Sequence, residues 1–373
     1  MTQPDFLTLR KNYPLLGNCT YLNTANAGAM SQTTLAVGQK YLEEYVHFAS
    51  QKLPAWMKAM EETRETMARW LHSTKDEIGL VWDTSYGISW VEKMLPYEME
   101  VVLVEHDFAS VTLPWIHSGR KIQWVKWDMK SPIDLENLEK KLSGTPKILA
   151  ISHVQYTTGY RVDIKAISSM SKRHGAFLVL DAIQSLGVFE INASEIEIDV
   201  IAASSYKWQT AGYGAGLVYI NKNSRAKLKF GALGPGSMTD FLADPKLEKH
   251  LKPAPQNLEA GHPKPLHILM QGQALKELEA IGWQAITERV KYLSKLLHSA
   301  VVEAGYLPMA PVDQDSWSGI VSFECDRAVH EHLTANNVIT TWRPSYLRAA
   351  VHFYNNEEDI QLFQSALLRT KQK

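Results

Sequence analysis

LVLDAIQSLG (178–187) and, shortly after it, DVIAASSYKWQTAGYGAGLVYI (199–220) decide how this chain folds. Each contains an unbroken apolar run, the pattern of a strand covered on both faces. Each run stops at residues that carry chemistry. The first ends at Asp181, with Gln184 three positions on. The second passes through Ser204 and Tyr206 to Lys207. Working outward, the same alternation of short apolar runs and amphipathic segments extends from about 78 to 220. IGLVW (78–82), VVLVEH (101–106), KIQWVKW (121–127), KILAISH (147–153), FLVLDA (177–182) and DVIAASS (199–205) read as strands. Helical segments lie between them, and GAGLVYI (214–220) reads as an antiparallel addition. SPIDLENLEKKL (131–142) places acids early and lysines late, as a helix dipole favours. This alternation predicts an α/β fold with a mostly parallel sheet sandwiched by helices. Ligands of such sheets bind outside the carboxyl ends of the strands. Asp83, His106, His153, Asp181 and Lys207 all fall there.

Beyond about residue 224 the pattern changes. KPAPQNLEAGHPKP (252–265) is loop-like, two long helices follow through residues 268–305, and a smaller α+β unit closes the chain. With 373 residues, a large core in one or two domains is expected. A formal net charge of −1 argues against a nucleic-acid partner. The only cysteines, Cys19 and Cys325, exclude a disulfide framework or a cysteine-rich metal centre, and no metal site is expected. The first residues lack the apolar core of a signal peptide, and no run reaches membrane-spanning length. A cytoplasmic protein with no membrane partner is the expectation.

A carboxylate and a lysine at the ends of buried strands are the two charged groups a pyridoxal phosphate site needs. The lysine holds the aldehyde as a Schiff base, and the acid keeps the ring nitrogen protonated. The ordered set DAIQSLG, SSYKW, GYGAG (212–216) and LRAAVHFYN (347–355) resembles the class V aminotransferase family of fold-type I pyridoxal-phosphate-dependent enzymes. That group includes cysteine desulfurases, selenocysteine lyases, kynureninases and epimerases. The resemblance implies a seven-stranded, mostly parallel sheet. It also implies a large domain over 18–265, and a small domain built from 1–17 plus 266–373.

The resemblance implies a role for each candidate residue. Lys207 matches the Schiff-base lysine, which also moves the proton and so needs a lowered pKa. Asp181 matches the partner of the ring nitrogen, and Gln184 that of the phenolic oxygen. Thr84 and Ser85, at a strand-to-helix junction, match the phosphate loop, and Ser204 and Tyr206 add donors to it. His106 or Phe108 covers the ring face, with the spacing to LPW favouring Phe108. Arg348 matches the clamp on the substrate α-carboxylate, with Arg343 a second candidate or a structural ion-pair partner. Asn26 lies in the NTANAG loop that closes over substrate. His262 stands where the family has a threonine reaching the other subunit's cofactor, and Ser237 is a further contributor across that interface. A homodimer with shared active sites is thereby implied.

TTWRPSYLR (340–348) contains no cysteine, whereas desulfurases carry a nucleophilic one shortly before the carboxylate-binding arginine. The motifs thus imply an enzyme acting on an amino acid, foremost an aminotransferase. A kynureninase- or selenocysteine-lyase-like enzyme and an epimerase are the alternatives. A non-catalytic scaffold that binds pyridoxal phosphate is a reading of another class.

Overall fold

A computed structural model describes residues 4–231, 233–240, 250–310 and 315–370. Its strands are β1 (Thr20–Tyr21), β2 (Ile78–Val81), β3 (Glu100–Val104), β4 (Ile122–Val125), β5 (Lys147–Ser152), β6 (Phe177–Asp181), β7 (Val200–Ser204), β8 (Gly216–Ile220), β9 (Ile320–Glu324), β10 (Val338–Ile339), β11 (Thr341–Arg343) and β12 (Tyr346–Ala350). Its helices are α1 (Phe6–Arg10), α2 (Gln32–Phe48), α3 (Leu53–Trp70), α4 (Thr84–Met94), α5 (Ala109–Ile116), α6 (Leu135–Leu142), α7 (Ile164–Arg173), α8 (Pro265–Ile281), α9 (Trp283–Glu303), α10 (Arg327–Ala335) and α11 (Glu357–Arg369).

Strands β2 to β8 form one seven-stranded sheet in the order β2-β8-β7-β6-β5-β3-β4. It is parallel except at β8, which runs antiparallel to both β2 and β7. The expected seven-stranded α/β fold is therefore present, with the antiparallel addition where it was read. The apolar runs follow from burial on both faces. In β6, Leu178 and Leu180 enter one core while Phe177 and Val179 enter the other. Each such side chain contributes roughly 1.5–3 kcal/mol, so both faces specify the register. The parallel register sets Asp181 level with Ser152 of β5 and Ala202 of β7. The chain turns back between β3 and β5, which opens a crevice at their carboxyl ends.

The C-terminal segment builds an antiparallel sheet, β11-β12-β9, covered by α9, α10 and α11. Its core holds Leu293, Phe323, Leu333 and Phe363. The segment after α1 is tied to it. β1 pairs with β10, and Ala350 donates its amide to Leu22. Helices α2 and α3 lie outside the strand–helix alternation and pack on α8. There the Thr63 hydroxyl donates to the Ile268 carbonyl, and Gly38 faces Met270. No helix among the described residues is long and apolar enough to cross a membrane.

Candidate active site

The site lies where β3, β5, β6 and β7 end beneath the β11–β12 hairpin. Lys207 is buried three residues past β7, its Nζ 5.6 Å from the ring centres of both Phe108 and Tyr206. Burial lowers its pKa, and the charge of Arg348 pushes the same way, partly opposed by Asp181. Asp181 is buried at the end of β6. Its Oδ1 accepts the Ile183 amide at 2.8 Å, and its Oδ2 has no hydrogen-bond partner. Burial raises its pKa against the pull of that amide and of Lys207. Asp181 pairs with Ala202 of β7, the strand that leads into Lys207, so the acid and the lysine stand at neighbouring strand ends.

Phe108 and His106 were alternatives for the ring face, and the backbone separates them. His106 adopts φ 64 with its side chain exposed, whereas Phe108 turns inward to Lys207 and meets Tyr156 edge-on at 4.9 Å. The expectation for His106 is corrected on that ground. Between them, Asp107 does work that sequence reading missed. Its buried carboxylate accepts the Phe108 amide at 2.7 Å, and the Ser152 amide and hydroxyl at 2.9 and 2.6 Å. It thus fixes the Phe108 backbone to the end of β5. The signal was present as a polar residue between two candidates, but its inward direction depends on the positive φ at position 106.

At the start of α4, Thr84 and Ser204 are brought together. The Thr84 amide donates to the Ser204 hydroxyl at 2.8 Å, and the Ser204 amide to the Thr84 hydroxyl at 2.9 Å. These two expected phosphate ligands share one place at a helix N-terminus, which favours an anion. Ser85 is exposed beside it, its hydroxyl 2.6 Å from that of Ser110. Tyr206 stacks on Tyr213 at 4.4 Å.

Two other expected residues, Gln184 and Ser237, bond to protein groups. Gln184 is held at both ends by protein, donating to the Ala25 carbonyl at 3.0 Å and accepting the Trp208 indole at 2.8 Å. It braces the loop and Trp208, with one amide hydrogen to spare. Ser237 is fully buried, its hydroxyl spent on the Asn257 carbonyl and the Gly234 amide. It secures its own loop and is not presented to a neighbour, so its expected contribution across an interface is corrected. His262 is exposed beside Arg64, Glu259 and Lys264.

Asn26 is exposed on the loop that passes over Lys207. The Gly28 amide donates to the Tyr206 carbonyl at 2.8 Å, and a Cβ on Gly28 would stand 2.0 Å from the Lys207 carbonyl oxygen. Backbone cannot yield that distance cheaply. Gly28→Ala is expected to destabilise the fold by about 1–3 kcal/mol, measured as a lower midpoint in urea unfolding.

Arg348 is buried on β12, with one guanidinium nitrogen 2.6 Å from the Tyr156 carbonyl and Nε without a partner. Burial and the neighbouring charge of Arg343 lower its pKa to about 10, so it remains a cation at neutral pH. Arg343 is exposed at the end of β11. His352 and Asn355 are framework. The His352 ring contacts the Trp208 carbonyl at 2.9 Å, and the Asn355 amide donates to the Tyr21 carbonyl and to Asp359.

A buried carboxylate oxygen and a buried arginine Nε without partners are costly unless something binds them. An aromatic cation flanked by anionic groups suits that donor set. Asp181 would meet its ring nitrogen, Lys207 its aldehyde, Phe108 its face, and Thr84 with Ser204 its phosphate. No group of acids, histidines or cysteines able to hold a metal occurs among the described residues.

The sequence matches a family model described as aminotransferase class-V over residues 20–363. It is 26% identical over 397 aligned residues to a protein named probable cysteine desulfurase from Pyrococcus abyssi, covering 96% of each chain. The fold superposes on the apo structure of a cysteine desulfurase from Thermococcus onnurineus NA1 with a TM-score of 0.89 at 23% identity, over 99% of this chain and 98% of that one. It also superposes on the cystine C–S lyase C-DES in complex with its reaction product cysteine persulfide. There the TM-score is 0.87 at 19% identity, over 95% and 99% of the two chains.

Proposed function

Because this chain belongs to the aminotransferase class-V family of pyridoxal-phosphate-dependent enzymes, we propose that it is a lyase cleaving the Cβ–S bond of a sulfur-bearing amino acid without a thiol of its own. One observation carries this reading. The stretch where a desulfurase keeps its nucleophilic cysteine is here a turn of only Pro344 and Ser345 between β11 and β12. Neither cysteine is at the site. Cys19 lies by Arg10 and Asn337, and Cys325 lies by Tyr306 and His332, with burial raising its pKa to about 11. With no protein thiol to receive sulfur, the sulfur must leave on the substrate's own atoms. The names of the relative and of the fold neighbours carry sulfur chemistry, and the cystine C–S lyase among them supports elimination over the transamination that the motifs alone suggest.

Pyridoxal phosphate, when bound, supplies an electron sink for the charge that develops at the substrate α-carbon. The chain's own residues do the rest. Arg348 grips the α-carboxylate and so sets which bond at the α-carbon faces the sink. Lys207, uncharged more readily than an exposed lysine, takes the α-proton on Nζ. Asp181 keeps a buried negative charge ready for a cation. Phe108 and Tyr156 keep water from one side. As the β-carbon–sulfur pair departs with sulfur, a disulfide substrate releases a persulfide, a weaker base than a thiolate and so a better leaving group. Water then converts the three-carbon remainder to pyruvate and ammonia. For cystine the balance is cystine plus water giving pyruvate, ammonia and cysteine persulfide.

The holoenzyme should produce pyruvate and ammonia in equal amounts from L-cystine, together with one persulfide. Alanine as the amino-acid product, or turnover that requires a keto-acid acceptor, would overturn the reading.

We also propose a homodimer. α2 turns Leu42, Tyr45, Val46 and Phe48 to solvent along one helix, with Val46 78% exposed, and a second copy is the occupant this family suggests. A monomeric mass by light scattering would remove that proposal.

A further inference from the structure

The turn that follows Lys207 is closed by a residue under backbone strain. The Thr210 amide donates to the Lys207 carbonyl at 3.1 Å, so Lys207 opens the turn and Thr210 ends it. Thr210 sits at φ 57. A left-handed backbone crowds Cβ against a carbonyl oxygen, and a branched Cβ makes the position a true outlier. Among the described residues seven besides glycine have a positive φ, and Thr210 is the only β-branched one of them. Glycine would remove the cost. The chain places glycine at nine other such positions, Gly212 and Gly214 of this same loop included. Thr210 is 1% exposed, so contact with water does not account for its side chain.

The neighbours impose this conformation. The Ala211 amide donates to the Ser205 carbonyl at 3.1 Å, and the Gly28 amide to the Tyr206 carbonyl at 2.8 Å. Inside the turn, the Trp208 carbonyl meets the His352 ring at 2.9 Å. The loop at Gly28 lies across both ends of the turn. A Cβ there would stand 2.0 Å from the Lys207 oxygen and 3.3 Å from the Thr210 Cα. Strain persists only where the surroundings over-determine it, and such positions cluster at functional sites. With the turn held shut from outside, its own side chain decides how far it can breathe. A Cβ confines a left-handed residue to a small φ, ψ region, whereas glycine has a broad one. The Cβ of Thr210 thus narrows the motion of the Lys207 backbone, and Lys207 Nζ lies 5.6 Å from the Phe108 ring centre. A reacting group displaced by about 1 Å loses about 10²-fold in rate.

We infer that Thr210 is a positioning residue for Lys207, whose left-handed backbone gives up stability to fix where the lysine amine stands. It acts through the Lys207 carbonyl. The inference rests on Lys207 as the group that moves the α-proton, as in the reading above, and is independent of what leaves the β-carbon.

Two variants separate precision from folding. Thr210→Ala keeps a Cβ, and with it the narrow region and the strain; Thr210→Gly removes all three. Both lose the hydroxyl and the methyl. In urea, Thr210→Gly is expected to unfold at a higher midpoint than Thr210→Ala, because glycine has no Cβ to crowd. Activity should run the other way. With cofactor saturating, Thr210→Gly should lower kcat for pyruvate formation from L-cystine at least about tenfold below Thr210→Ala, with the loss in kcat and not in KM. Exchange of the L-alanine α-proton in heavy water should fall in the same order. A role confined to folding would make activity follow the urea midpoints. Activity in Thr210→Gly equal to or above that of Thr210→Ala overturns the inference. So does a lower midpoint for Thr210→Gly, since the strain would then be absent. If the wild type exchanges the α-proton but yields no pyruvate, the lyase reading falls, and the order of exchange rates still decides the role of Thr210. If pyruvate forms and the two variants turn over alike, the role of Thr210 falls and the lyase reading stands.

Discussion

Lys207→Ala is expected to lower turnover by about 10³-fold or more, because it removes both the covalent anchor and the base. Borohydride treatment of the holoenzyme should fix the cofactor to Lys207 in the wild type and to no residue in the variant. A retained adduct on another lysine, or turnover within tenfold of wild type, would sink the assignment. Loss of fold is not expected to confuse the result. Lys207 is a buried amine that burial penalises when charged, so its removal relieves strain in the empty protein. The sign can be checked. Between about 7, where burial places Lys207, and its ordinary 10.5, the unfolded chain binds more protons than the folded one. Stability of the cofactor-free wild type should therefore rise with pH across that window, and the contribution of Lys207 should level off below its lower end. In Lys207→Ala the slope should flatten. Urea midpoints at a series of pH values measure both.

Much of the site was legible because parallel strands advertise themselves. Side chains on both faces of β6 and β7 are buried, so the runs that end at Asp181 and Ser204 are continuous and their ends locate the crevice. Helix α2 left no comparable sign. Only Thr34 and Gly38 of its seventeen residues are buried, and its large apolar side chains face outward, so its pattern points away from this chain's own core. Gln184 and Ser237 were placed by position, but their hydrogen bonds run to Ala25, Trp208 and Asn257. Those partners lie 159, 24 and 20 positions away, and only the fold says which groups are already satisfied. Asp107 makes the complementary case. Two ring-covering candidates flank it, and the acid that anchors the correct one is visible only once the backbone at His106 turns left-handed.

Arg348→Ala is expected to weaken binding of amino acids by about 30- to 5,000-fold, the range for removing a buried partner of a charged group, roughly 2–5 kcal/mol. The effect should fall on KM and on the dissociation constant of hexanoate, with the borohydride-reducible adduct at Lys207 intact. Two causes combine. The substrate carboxylate loses a fork it could bind through two nitrogens, and the Tyr156 carbonyl loses its 2.6 Å donor, which loosens the residue packed against Phe108. Arg348→Lys separates them, since an ammonium retains the charge without the planar fork and is expected to recover part of the affinity. Folding should survive either change, because Arg348 is a buried cation whose Nε has no partner and whose charge burial already disfavours. If Arg348 is the deep clamp, its loss must weaken binding of hexanoate. A monocarboxylate that binds Arg348→Ala as tightly as wild type would show that the α-carboxylate is held elsewhere, and the orientation of substrate over Lys207 would have to be rebuilt from that point.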